Sequence, residues 1–176
     1  MLEQRGIAHG VKVVEIGSSL SVALAGMTLA DAGADVVWIE PPGGSFLRDE
    51  PAFALWGRGK RSLVADLAEQ GGAARARSLI LDADVLLIGL KPASVDRLNL
   101  EYSSLASDAP RLVYAAVTGF GSHGPYRDVP VYDAVMQARG GRMFDFSPMH
   151  DGERPAYAAA PVAAYGAAMA LLKGVF

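Results

Sequence analysis

Short apolar runs and longer mixed-polarity stretches alternate along this chain. Residues 11–16, 35–40, 62–67, 84–89 and 112–117 are β-branched or apolar almost throughout and end at turn-forming residues. Unbroken apolarity over so few positions is the pattern of strands buried on both faces, as in a parallel sheet. Between them the spacing predicts helices over 20–32, closed by Gly33, over 72–81, as two short pieces within 93–107, and over 132–139. Ser94 and the pair Tyr102–Ser103 are the expected caps of the two short pieces, and Gly17-Ser18-Ser19 the turn and cap before the first helix. Pro41-Pro42-Gly43-Gly44 stops the second strand, and an aromatic, charged loop follows as far as Arg61. Strands separated by helices imply βαβ units: an α/β, Rossmann-like, mostly parallel sheet with helices on both faces. A last apolar helix is expected over 162–176, without a capping residue or polar tail. That ending predicts an N-terminal portion of a larger or split protein.

Composition narrows the classes. With 176 residues the chain suits one domain, and a formal net charge of −3 supplies no general attraction to nucleic acid or an anionic membrane. No cysteine is present, so disulfides and thiolate-held metals are excluded. The longest apolar stretch, 156–172, contains Pro161 and Gly166 and is followed by Lys173, which makes a poor membrane span. The N-terminus has no apolar signal core, so the expected location is the cytoplasm. His9 and His150 have no companions at ligand spacing, and Asp145 with Asp151 lacks a matching His set, so no metal site is expected.

Chemistry concentrates after the 112–117 strand. Gly119-Phe120-Gly121-Ser122-His123-Gly124 matches the letters of a dinucleotide fingerprint, but that motif needs a helix starting inside the loop. Pro125 and Pro130 delay any helix to about residue 131, which leaves an NAD-dependent oxidoreductase as a minor alternative. His123, flanked by glycines, reads as a solvated turn residue. Arg58, Lys60 and Arg61 form the densest positive cluster, either a surface that gathers a polyanionic ligand or a solvated loop. Ser18, Ser19 and Ser21 either cap the first helix or meet a ligand.

Four ordered segments carry a resemblance: GADVVWIEPPGG (33–44), GRGKRSLVADL (57–67), ADVLLIGLKPASVDRLNL (83–100) and RLVYAAVTGFGSHGPYRDVPVYDAVMQA (111–138). Together they resemble the N-terminal half of the class III CoA-transferases, the CaiB/BaiF family, which includes formyl-CoA transferase and α-methylacyl-CoA racemase. The resemblance implies a Rossmann-like CoA-binding domain, a homodimer of interlocked chains, and CoA or acyl-CoA as the ligand. It also implies an Asp nucleophile that takes the acyl group as a mixed anhydride, a role suited to a carboxylate ionised at pH 7. The family's P-V-A-D segment is Pro161-Val162-Ala163-Ala164 here, so Ala164 stands at the nucleophile position. No acid lies between Arg154 and the C-terminus to replace it.

By the same resemblance Arg97 falls on an arginine that contacts CoA phosphate, and Lys91 replaces a second arginine; Arg61 and Ser19 complete the expected CoA-binding set. The ordinary alternative for Arg97 is an ion pair with Asp96 or Glu101 on a solvated helix. Gly89 takes the place of a family Asn. Tyr132 stands where the racemases carry an acid/base His, which aligns the chain with the transferases, and Asp133 beside it is an accessory acid or a helix cap. The expected function is a CoA-transferase family protein whose chain lacks the nucleophile and works with a complementary half. The alternative is a non-catalytic CoA- or acyl-CoA-binding or assembly module.

Overall fold

The computed structural model describes residues 6–149 and 154–176. Five parallel strands form one sheet: β1 (Lys12–Ile16), β2 (Asp35–Glu40), β3 (Lys60–Val64), β4 (Val85–Ile88) and β5 (Val113–Ala116). Their order is β3-β2-β1-β4-β5. Val13 pairs with Val36 on one side of β1 and with Val85 on the other. The runs of β1, β2 and β4 are therefore central strands buried on both faces, and β3 and β5 are the partly exposed edges.

Side chains of successive strand residues point to opposite faces, and the sequence fills both. Val13, Val36, Val85 and Leu87 pack beneath α1 (Leu20–Asp31) and α8 (Val162–Val175). Val14, Ile16, Ile39, Leu86 and Ile88 pack under α3 (Gln70–Leu81) together with Leu100, Leu105 and Leu112. The expectation of helices on both faces is met. Full burial of each such side chain contributes about 1.5–3 kcal/mol, and these two layers are the main source of stability. Short helices fill the connections: α2 (Phe53–Trp56), α4 (Pro92–Arg97), α5 (Tyr102–Leu105), α6 (Asp133–Arg139) and α7 (Arg142–Asp145).

Three local expectations need correction. The third strand begins at Lys60 instead of Ser62 and ends at Val64, because the 65–68 segment turns on an Asp66 Oδ1 bond from the Ala68 N–H. Charged residues do not start a strand on pattern alone; ion pairs made elsewhere in the fold permit it on this partly exposed edge. Ser19 occupies the N-cap of α1 but its hydroxyl makes no capping bond. Lys91 and Glu101, not Ser94 and Tyr102–Ser103, are the N-caps of α4 and α5, and neither side chain caps.

Beneath α1 the core holds an ion pair. Lys60 Nζ lies 2.7 Å from Glu15 Oε2 and 2.8 Å from the Ala23 carbonyl, and both side chains are almost fully excluded from solvent. The Lys60 ammonium sits 5.0 Å from the centroid of the buried Trp38 ring. Gly26 makes room for the pair, since a Cβ there would fall 2.0 Å from Glu15 Oε2.

Candidate functional site at the switch point

The order of the strands reverses at β1: β2 and β3 lie to one side, β4 and β5 to the other. In an open α/β sheet a crevice forms at such a point, outside the carboxyl ends of the strands. Gly17 follows β1 and Gly89 follows β4, and Gly89 N–H donates to the Ile16 carbonyl at 2.9 Å. A Cβ on Gly17 would lie 2.7 Å from the Gly89 carbonyl oxygen, and its φ of +109° disfavours any other residue. One on Gly89 would lie 2.7 Å from Ser19 Cβ, so the first turn of α1 occupies the space that a side chain would need. Gly17→Ala is expected to destabilise the fold by about 1–3 kcal/mol, measured by urea denaturation.

Above the crossing lies a cleft of about 230 Å³ walled by Gly17, Ser18, Glu40, Pro41, Leu90 and Arg97. Trp38 holds its floor by donating from Nε1 to the Gly17 carbonyl at 3.2 Å. Ser18 Oγ is bonded to Ser45 Oγ at 2.9 Å. Glu40 is buried, yet both oxygens are satisfied: Arg48 Nη2 reaches Oε1 at 2.6 Å, Arg48 Nε reaches Oε2 at 2.7 Å, and the Ser45 N–H and Ser62 Oγ also donate. Burial alone would push its carboxyl up; the donors from Arg48, Ser62 and Ser45, with the Arg48 charge, hold it down at about 2.

Arg97 reaches this cleft from the end of α4 and is exposed. Neither ordinary partner takes it. Asp96 is bound by Arg127 from the glycine loop, and Glu101 Oε2 accepts from Ser104 Oγ at 3.2 Å. Among the described residues Arg97 has no ion-pair partner, which leaves its guanidinium free for an anion. Lys91 stands at the opposite end of the same helix, exposed and off the cleft wall.

The positive cluster does not survive folding as a cluster. Lys60 and Arg61 are consecutive strand residues and so face opposite sides of the sheet. Lys60 is spent on Glu15; Arg61 pairs with Asp35 through bonds of 2.8 and 2.6 Å; Arg58 pairs with Asp31. Arg61 instead borders an edge groove of about 270 Å³ with Arg75 and Ser78. The structure thus brings Arg97 and Ser18 to the cleft and leaves Arg61, Lys91 and Ser19 off its wall.

The glycine loop ends in packing. A Cβ on Gly119 would meet Val131 Cγ2 at 2.1 Å, and Gly121 N–H donates to Thr118 Oγ1 at 2.9 Å. No helix begins between Gly119 and Asp133, so the loop amides do not converge with a helix N-terminus. His123 is exposed and, among the described residues, is hydrogen-bonded to Ser122 Oγ alone, at 2.8 Å. His150 and Asp151 lie outside the described residues.

A second polar cluster joins α6 to α8. Asp133 Oδ1 accepts from the Ala164 backbone N–H at 2.8 Å, and Oδ2 accepts from Gln137 Nε2 at 2.5 Å. Gln137, only 2% exposed, also donates to the Ala160 and Ala158 carbonyls at 3.3 and 3.4 Å. Tyr132 precedes this cluster at the N-cap of α6 with its ring 68% exposed. Sequence reasoning did not single out Gln137 or Glu40. The available signals were the i, i+4 spacing of Asp133 and Gln137 on one helix, and an acid at the very end of the second strand.

The family model for CoA-transferase family III matches residues 9–176. The chain belongs to that family. It is 38% identical over 150 residues to a succinate–glutarate CoA-transferase of Agrobacterium fabrum, covering 76% of this chain and 38% of that protein. It is 35% identical to an acetyl-CoA:oxalate CoA-transferase of Acetobacter aceti, covering 79% of this chain and 38% of that one. A CaiB/BaiF family protein from Brucella suis superposes with a TM-score of 0.83 at 30% identity, over 98% of this chain and 50% of its own. The CoA-transferase family III chain described here spans half or less of the length of these relatives. No described helix is long and apolar enough to cross a membrane.

Proposed function

We propose that this chain is the N-terminal, CoA-binding portion of a cytoplasmic class III CoA-transferase and holds acyl-CoA at the switch-point cleft through Arg97. One observation carries the reading: Arg97 is the cleft's uncommitted cation, while of the two acids on its wall Glu40 is already neutralised by Arg48 and Asp66 accepts from the Ala68 N–H. A phosphate entering there meets a forked donor and no opposing free charge from Glu40. The cleft is smaller than the roughly 300–1,000 Å³ of most ligand pockets, so it would take one end of CoA and leave the rest along the rim. Residue 164 presents a methyl group and cannot accept an acyl group. Transfer between carboxylic acids therefore calls for another carboxylate, supplied by this chain, by a second copy in a homodimer, or by a complementary half.

A non-catalytic CoA-binding or assembly module is the second reading, favoured by Ala164, whose methyl group cannot carry an acyl group. The glycine loop's packing on Val131 gives an NAD site no support. Titration calorimetry with CoA and with NAD tests the ligand. Saturable heat with CoA alone is expected; no heat with CoA at millimolar concentration would overturn both CoA readings.

A further inference from the structure

We infer that Asp133 takes the place of the missing nucleophile and is the residue acylated by acyl-CoA in this chain, an inference that rests on the CoA-transferase reading above. The argument begins with position. Helix α8 runs for 14 residues from Val162, and its N-cap residue, Pro161, contributes no side-chain bond. The N–H of Ala164 in its first turn is met instead by Asp133 Oδ1 at 2.8 Å, so a carboxylate carried by α6 sits one hydrogen bond from the very residue whose own side chain lacks one.

The carboxylate is aligned from behind. Gln137 is buried, fixes Oδ2, and is itself anchored on the carbonyls of Ala158 and Ala160 in the segment entering α8. Its Oε1 is buried without a hydrogen-bond donor among the described residues. A side chain that leaves one polar atom unsatisfied while binding Asp133 and two carbonyls costs free energy that a purely structural cap need not spend. Asp133 itself is only partly buried.

The step balances without a co-reactant. An Asp133 oxygen attacks the thioester carbonyl, a C–O bond forms, the C–S bond breaks, and CoA leaves as the thiolate carrying the charge that the carboxylate brought. The product is an acyl anhydride on Asp133.

The full chain is incubated with acetyl-CoA, then quenched with hydroxylamine. Free thiol is assayed, modified peptides are mapped by mass spectrometry, and CoA binding is measured in parallel by calorimetry. A stoichiometric release of thiol with the hydroxamate on Asp133 is expected, and Asp133→Asn abolishes both. Because Asp133→Asn also removes the bond to α8, the double variant Asp133→Asn/Ala164→Asp is included: it returns a carboxylate to the same helix turn, and modification is expected to move to position 164. Binding of CoA with no modification, or modification at a residue other than Asp133, overturns the inference and leaves the CoA-binding reading standing. Absence of CoA binding overturns both.

Discussion

Lys60→Met is expected to cost about 3–5 kcal/mol of folding stability, because it leaves Glu15 charged or forcibly neutral with no partner inside the sheet. The pair spans three elements, β1, β3 and the Ala23 carbonyl of α1, and is all but sealed from water. Burial pushes the Glu15 carboxyl up to about 7, although Lys60 pulls in the opposite direction, and the same burial lowers the Lys60 ammonium. The sign of the pH dependence follows from the Glu15 shift. Its folded-state value lies above its unfolded one, so its contribution is fully present below the unfolded value of 4.5 and is lost as pH rises through about 7. In Lys60→Met the carboxyl loses its counter-charge and moves higher still. The variant's deficit is therefore larger at about pH 8 than at about pH 5, where a buried neutral acid costs less. Guanidinium denaturation of both proteins at the two pH values reads this directly. The double variant Glu15→Leu/Lys60→Met, which removes both charges, is expected to recover most of the loss. A double variant as unstable as Lys60→Met alone would show that the pair is not the source.

Arg97→Ala is expected to weaken CoA binding by roughly 10- to 150-fold, the equivalent of about 1.5–3 kcal/mol for charge-assisted hydrogen bonds to phosphate. The fold should be unaffected, since Arg97 is exposed and makes no ion pair among the described residues. Arg97→Lys retains the charge but not the fork and should fall between the two. Arg61→Ala serves as the comparison: paired with Asp35 and off the cleft wall, it should leave CoA affinity unchanged. Calorimetry at two salt concentrations measures all three. Equal losses for Arg61→Ala and Arg97→Ala would place the phosphate elsewhere.

Much of the architecture was legible because parallel strands buried on both faces need unbroken apolar runs, and these stand out against the mixed helices between them. Glycines were legible as turns but not as contacts. Gly17, Gly89 and Gly119 are each required by a neighbour that is distant in sequence: Gly89 for the first, Ser19 for the second, Val131 for the third. Only assembly of the sheet brings the first two pairs together. The third strand was misplaced by two residues for a related reason: Lys60 and Arg61 read as loop until Glu15 and Asp35 are seen to receive them.

Taken alone, the sequence determined the fold class, the order of the elements, the family resemblance and the absence of a carboxylate at position 164, all properties carried by local pattern and residue identity. Only the tertiary structure decided which charges remain free. Arg58, Lys60 and Arg61 are drawn off by acids 26 to 45 residues away, whereas Arg97 is released because Arg127 takes its neighbour Asp96. It also decided that Asp133, 31 positions before Ala164, meets that residue's backbone. Charge pairing depends on distances of a few ångströms between segments remote in the chain, and neither composition nor periodicity encodes those distances.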